Sequence, residues 1–435
     1  MTHGASAAPP GSVPAVAGTG LAGVRNGLCY GGLGLPLAFV ALPLYVVLPN
    51  HYATVFGVPL ATLGALLLGA RLLDAFADPW IGRWVDAWFA HSVRRVLSVA
   101  VVAAIVLAVG FYGLFFPAVR GPGELLIWAA AILAVTYLSY SVLSVLHQAW
   151  GARLGGDAPQ RARTVAWREG LALAGVLVAS VLPALAGLGV TSAVFAVALA
   201  LGIGLLALAP AVPRATASAN PSMPLPLANP AFRRLLLVFM VNGVASALPA
   251  TLVLFFIRDR LQLPAYEPLF LFAYFAAGAL SMPLWVRAVQ RFGLARSWLA
   301  GMLLAIAAFI WAAALGPGDL VAFASLCVAS GLALGADLAL PGALLAGVIQ
   351  RAGHSGHAEG AYFGWWNFAT KLNLALAAGL ALPLLALAGY APGIRDADAL
   401  LALALAYGLL PCALKLLAAG LLVVLWMRSA HGEKA

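Results

Sequence analysis

Apolar runs long enough to cross a bilayer, which takes about 20 residues as a helix, recur along this chain from one end to the other. Of 435 residues, 64% are apolar and 9% are charged, with a mean hydropathy of +1.01. A water-soluble protein carries roughly 25% charged residues, so the composition excludes one and demands a polytopic membrane protein. The runs are too continuously apolar for barrel strands, and hydrocarbon offers backbone groups no water to bind, so every span is a helix. Twelve are expected, at about 28–48, 60–83, 95–116, 125–150, 165–187, 190–211, 234–257, 267–288, 297–315, 320–349, 361–388 and 399–427.

The net charge of +10 does not point to nucleic acid, because basic residues sit singly or in pairs between spans and form no stripe or motif. Alternating the spans puts 17 of the 24 basic residues on one side, including Arg25, Arg83, Arg94, Arg95, Arg153, Arg161, Arg163 and Arg168. Arg120, Arg258, Arg260 and Arg395 fall on the other side, while Arg71, Lys371 and Lys415 lie within spans. The positive-inside rule then makes both termini cytoplasmic. Only 3 of the 24 are lysine, a bias that suggests a GC-rich bacterial genome and a bacterial cytoplasmic membrane. Cys29, Cys327 and Cys412 fall inside spans and build neither a disulfide framework nor a metal motif. Residues 1–24 lack the basic start and apolar core of a cleaved signal peptide and are expected to be a disordered cytoplasmic tail, while 429–435 are expected to be a short cytoplasmic tail.

Between spans six and seven, residues 213–232 are rich in Pro, Ala and Ser and read as a cytoplasmic linker between halves at 25–212 and 233–428. The halves share a weak echo: Asp78-Pro79-Trp80 ends span 2, and Pro283-Leu284-Trp285 ends span 8. Two six-helix halves repeated in parallel are the architecture of the major facilitator transporters. The expected fold class is therefore an all-α membrane protein with the major facilitator fold.

A charge at the bilayer centre costs about 2.5–3.5 kcal/mol on insertion scales, so each embedded ionisable group needs a partner or a purpose. Arg71, Asp74 and Asp78 are spaced i, i+3, i+7 and share one face of span 2. Two carboxylates one turn apart do not both ionise cheaply there; a shared proton, a bound cation or the Arg71 guanidinium would relieve them. The cluster is either a coupling-cation site or a structural Arg–Asp tie. Lys371 lies deep in span 11, twelve residues or about 18 Å along the helix from Glu359 at the mouth. It must pair, with the span 2 acids as candidates, or snorkel to a surface. Asp337 in span 10 could pair with Arg351 or cap a helix broken near Pro341-Gly342. Gly82-Arg83-Trp84-Val85-Asp86 matches the Gly-x-x-x-Asp core of the facilitators' 2–3 loop motif, where Gly permits close helix approach and Asp caps or pairs. Tyr137, Tyr140, His147, Gln148, Trp150, Trp365 and Trp366 could line a cavity or simply pack.

These residues resemble the glycoside–pentoside–hexuronide:cation symporter family. Its pattern Arg-x-x-Asp-Ala-x-x-Asp-Pro-x-x-Gly matches Arg71 to Gly82 without a gap, and its Glu-Gly-x-Tyr with a deep Lys matches Glu359, Gly360, Tyr362 and Lys371. Arg161 with Arg168, Tyr30-Gly31 and Ala336-Asp337 also fit, so the resemblance covers about residues 25–428. It implies a coupling set of Asp74, Asp78, Thr136 and Lys371, with Na⁺ or H⁺ as the cation. The expected substrate contacts are Arg71, Tyr137, Ser139, Arg168, Asp337, Trp365 and Trp366, and the expected gate is Gly82, Arg83, Asp86 and Glu359.

The family's sugar carriers place acids in helices 1 and 4. Helix 1 here has none, helix 4 has Ser139 at that position, and Ala77 replaces the polar residue before the second helix 2 acid. Fewer oxygens favour H⁺ over a hard cation that wants a full shell. The expectation is an alternating-access symporter of a small sugar-type solute, working as a monomer without cofactor, metal or nucleic acid. The rivals are a lysolipid or amphiphile transporter on the same fold and a non-transporting sensor. An enzyme is not expected, since His354 and His357 lack a second ligand pair for metal or nucleophile chemistry.

Overall fold

The computed structural model describes residues 21, 23–119, 121–213 and 225–428, and among these there are helices and no strand. The expected tails and the middle of the expected linker, 214–224, fall almost wholly outside the described residues. Where the linker's second part is described, Leu225–Ala228 forms a helical turn and the next helix starts at Pro230, with the Asn229 side chain accepting from the Ala231 amide.

Ten described segments are long and apolar enough to cross a membrane. The longest, Ala158–Ala207, is two helices, because Gly187 breaks it with φ 77° and ψ 169°, a conformation only glycine adopts freely. Leu60–His91, with its embedded charges, completes twelve. They are α1 (Gly23–Val55), α2 (Leu60–His91), α3 (Val93–Phe115), α4 (Pro122–Arg153), α5 (158–186) and α6 (188–207). The second half has α7 (Pro230–Arg260), α8 (Glu267–Phe292), α9 (Leu294–Phe309), α10 (Leu320–Arg351), α11 (Glu359–Leu387) and α12 (Ala397–Arg428).

Two departures from the expected spans bear on the site. First, α1 is not one rod. It breaks between Gly31 and Gly34 and passes through a π-helical stretch at Pro43–Val47, where proline removes a helical donor. Second, α5 begins at Ala158, seven residues early, because Asp157 and Gln160 form a reciprocal capping box. Arg161 and Arg163 therefore sit on a helix rather than in a loop, and Arg168 lies about three turns into it rather than at its start.

The halves meet where α2 packs on α11 and α5 packs on α8 and α10. Large apolar side chains such as Leu185, Leu280, Val321 and Ile127 stand exposed on the bundle's flank, as lipid contact requires.

Candidate functional site

A cavity of about 660 Å³ lies between the halves, walled by α1, α4 and α5 on one side and α7, α8, α10 and α11 on the other. Helical spacing brings the α2 acids onto the face that meets α11. There the Lys371 ammonium bridges them, 2.7 Å from Asp74 Oδ2 and 2.8 Å from Asp78 Oδ2. Its third proton goes to Ser141 Oγ at 2.7 Å, and Ser141 in turn donates to Asp74 Oδ1. Asp78 is fully buried, and its Oδ1 takes no hydrogen bond. With both carboxylates ionised, the single ammonium would leave this cluster one negative charge in excess, at the seam between the halves.

Arg71 does not supply the missing charge. Among the described residues it makes no ion pair; its guanidinium lies over the Tyr45 ring at 3.9 Å, with Tyr137 behind at 6.3 Å between ring centroids. Nor does Thr136 join the cluster. Its hydroxyl donates to Ile132 O and packs on α3, where a Cβ added to Gly110 would come within 2.3 Å of it. Ser141 reaches the acids instead. Ser139, two residues earlier, is turned about 200° around the helix and is absent from the cavity lining. Of the expected substrate contacts, Arg168, Asp337 and Trp366 line the cavity, whereas Arg71, Tyr137, Ser139 and Trp365 do not. Trp366 stacks on Phe239 of α7 at 3.8 Å, and Trp365 sits edge-on to Phe368.

Asp337 neither pairs with Arg351 nor caps a broken helix; α10 runs on through Pro341, and Arg351 lies over Trp426. Its partner is Lys415 of α12 at 2.7 Å. Asn242 and Trp298 donate to Oδ1 and Ser246 donates to Oδ2. Lys415 spends its other protons on Asn242 Oδ1 and Ser246 Oγ. This second cluster is neutral and saturated, tying α7, α9, α10 and α12 together. Lys415→Met would leave the part-buried Asp337 carboxylate without its counter-charge, a loss below the roughly 3–5 kcal/mol of a fully buried pair. The expected result is a thermal midpoint several degrees lower in detergent, and an unchanged midpoint would contradict this role.

At the end of the bundle that carries most arginines, the halves are locked. Arg153 of α4 holds Asp86 of α2 at 2.8 Å and Glu359 of α11 at 3.0 Å, with all three side chains about 1% exposed. Asp86 also caps α11, accepting from the Gly360 and Ala361 amides at 2.8 Å each. Arg153 reaches Gly356 O as well. Close approach needs the glycines: a Cβ on Gly82 would lie 2.2 Å from Gly360 O, and one on Gly364 would lie 2.4 Å from Asp78 O. Arg83 is not part of this lock; it lies toward the Trp80 ring and makes no ion pair among the described residues. Beside the lock, His354 meets the Tyr362 hydroxyl at 2.9 Å, and Asn229 donates to the same oxygen. Burial, then the neighbouring His357, hold the His354 imidazole below its usual range. Among the described residues no group of three or more His, Cys, Asp or Glu side chains is placed to hold a metal ion.

Residues 29–427 match the family of MFS/sugar transport proteins. The chain belongs to that family. Its members are major facilitator transporters, not enzymes. The inner membrane symporter YicJ of Escherichia coli K12 is 31% identical over 134 residues, 30% of this chain and 28% of YicJ. YagG of the same organism, a candidate glycoside/cation symporter, is 29% identical over 160 residues, 36% of this chain and 34% of YagG. The matched segments thus span about a third of these relatives' length. In fold the chain is similar to a bacterial homologue of the iron transporter ferroportin in an outward-facing state (TM-score 0.71, 18% identity, 93% of this chain and 99% of that one). It is also similar to the major facilitator transporter FucP in its outward conformation (TM-score 0.65, 15% identity, 91% and 99%). In this family member the candidate site is a cavity flanked by two Lys–Asp clusters, with a charged lock at one end.

Proposed function

We propose that the protein is a proton-coupled symporter of a neutral, sugar-type solute, working by alternating access in a bacterial cytoplasmic membrane with both termini inside. The observation that carries this reading is the Lys371 bridge to Asp74 and Asp78, because it binds the two halves together with one negative charge to spare. A proton on Asp78 would neutralise the excess and loosen the bridge. Solute and proton would then raise each other's affinity reciprocally. Ser141 is the one neutral side-chain oxygen bonded to the cluster among the described residues, a thin shell for a hard metal cation. The locked end is the basic one, which the positive-inside rule puts in the cytoplasm, so the cavity is read as outward-facing. YicJ and YagG, with their symporter descriptions, support the same assignment.

The test is uptake into proteoliposomes driven by a pH gradient in Na⁺-free medium, using melibiose and methyl glycosides as probes. Accumulation is expected, and uptake driven only by a Na⁺ gradient would overturn proton coupling. Lys371→Ala removes the charge that competes with the proton. It is expected to move the pH optimum of uptake upward, and an unchanged pH profile would exclude this role for Lys371.

A further inference from the structure

Among the described residues, the cavity's charged side chains are all partnered, by one another or by residues just behind its walls. Lys371 is held by Asp74 and Asp78, Asp337 by Lys415, and Arg168 by its neighbour Glu169. Among the described residues no spare cation faces a ligand there, so these walls offer nothing to neutralise a carboxylate or phosphate headgroup. What it does offer is unspent acceptors. Both Arg168 bonds, from Nε at 2.9 Å and Nη2 at 2.7 Å, go to Glu169 Oε1. Oε2 takes no hydrogen bond from any described residue, and the side chain is 20% exposed on the cavity wall. Gln148, on the same wall, donates through Nε2 to Ser144 and leaves Oε1 buried and unpaired. Across the cavity on α11, Asn373 is 4% exposed, and its Oδ1 is likewise unpaired. A buried acceptor without a donor is costly, and the two here, one on each half, with the open Glu169 Oε2 beside them, call for a ligand or waters that donate to both halves.

We propose that Glu169 is the specificity-determining acceptor of this cavity, taking a substrate hydroxyl on Oε2 while Gln148 Oε1 and Asn373 Oδ1 take others. The ligand class is an uncharged polyhydroxylated ring, as opposed to a uronate or a phospholipid. Arg168 acts as a positioning residue, pinning one carboxylate oxygen so that the other faces the ligand. This assignment rests on the sugar-type reading above and narrows it. A charged acceptor that reads a hydroxyl discriminates strongly against the analogue lacking it, since the site is then left unpaired.

The experiment is binding to the full-length protein in detergent by titration calorimetry. The probes are methyl glycosides of glucose, galactose and xylose, their monodeoxy analogues, glucuronate and lysophosphatidylcholine. The wild type is expected to bind one of the neutral glycosides and to lose at least about tenfold when one particular hydroxyl is removed. Glu169→Gln should bind the parent glycoside about tenfold more weakly and no longer distinguish it from that deoxy analogue. Because E169Q leaves the buried Arg168 without its counter-charge, Glu169→Asp provides a second variant that keeps the charge but shortens the reach. The same loss of discrimination is expected of it. If both variants keep wild-type affinity and the full deoxy penalty, the role of Glu169 is wrong while the sugar reading stands. A wild type that ignores every neutral glycoside, or binds only glucuronate or the lysolipid, overturns the sugar reading and this inference with it.

Discussion

Asp78→Asn is expected to abolish accumulation of solute against its gradient while leaving downhill entry and exchange intact. The two helix 2 acids are not equivalent. Asp74 is satisfied on both oxygens, by Lys371 and by Ser141, whereas Asp78 has an oxygen with no donor and no access to water. The incoming proton therefore has its vacant place on Asp78. Asparagine has the shape of the protonated acid and removes the excess charge, so the cluster becomes a neutral Asp74–Lys371 pair whether or not a proton arrives. A transporter whose site is always neutral can still rock, but it has lost its obligation to carry the ion. The measurement is uptake under an imposed pH gradient, alongside equilibrium exchange of labelled solute. The accumulation ratio should fall to about one with exchange preserved, and retained accumulation in D78N would remove Asp78 from the coupling step.

Arg153→Met should swing the conformational equilibrium away from the locked state. In that state Asp86 and Glu359 share one buried arginine, and removing a buried partner costs about 3–5 kcal/mol. When the basic end opens, both carboxylates regain water, so the penalty falls on the closed form alone. That is roughly a hundred- to several-thousand-fold shift in the open-to-closed ratio. Gly82→Val should act in the same direction through sterics, because its Cβ branches from a position 2.2 Å from Gly360 O. Spin labels at exposed Ala90 on α2 and Ser355 in the α10–α11 loop, in a background where the three native cysteines are buried, report the separation of the halves. The wild type is expected to give mainly the short distance and both variants the long one. A wild-type distribution in R153M would mean that the lock contributes little.

Much of this was legible in the chain because membrane-embedded charge is scarce and must be matched. The i, i+3, i+7 spacing on α2 put two acids on one face, and the depth of Lys371 pointed it at them. The same reasoning, applied to Lys415, would have led to Asp337, since both lie well inside spans and neither has a partner nearby in sequence. Arg71 misled because helical spacing places it beside the acids, while the tyrosine ring that holds its guanidinium comes from the preceding span, α1, and no charge marks it as a partner. Ser141 and Thr136 differ only in which side of α4 meets α2. A helix that is apolar all round does not declare that in its pattern. Arg153 looked like one more loop arginine under the positive-inside rule; its role depends on three helices converging, which no local signal records. The early start of α5 was readable, since Asp157 and Gln160 stand in capping-box register ahead of a helical run.

The central claim is that one proton, taken up at the Asp74–Asp78–Lys371 cluster, travels with each solute molecule. The most direct measurement is internal pH in proteoliposomes holding a trapped pH-sensitive dye, with no Na⁺ present, when a neutral glycoside that the protein binds is added outside. The account predicts internal acidification in the wild type and none in D78N. Solute entry without any pH change, or acidification that persists in D78N, would contradict it.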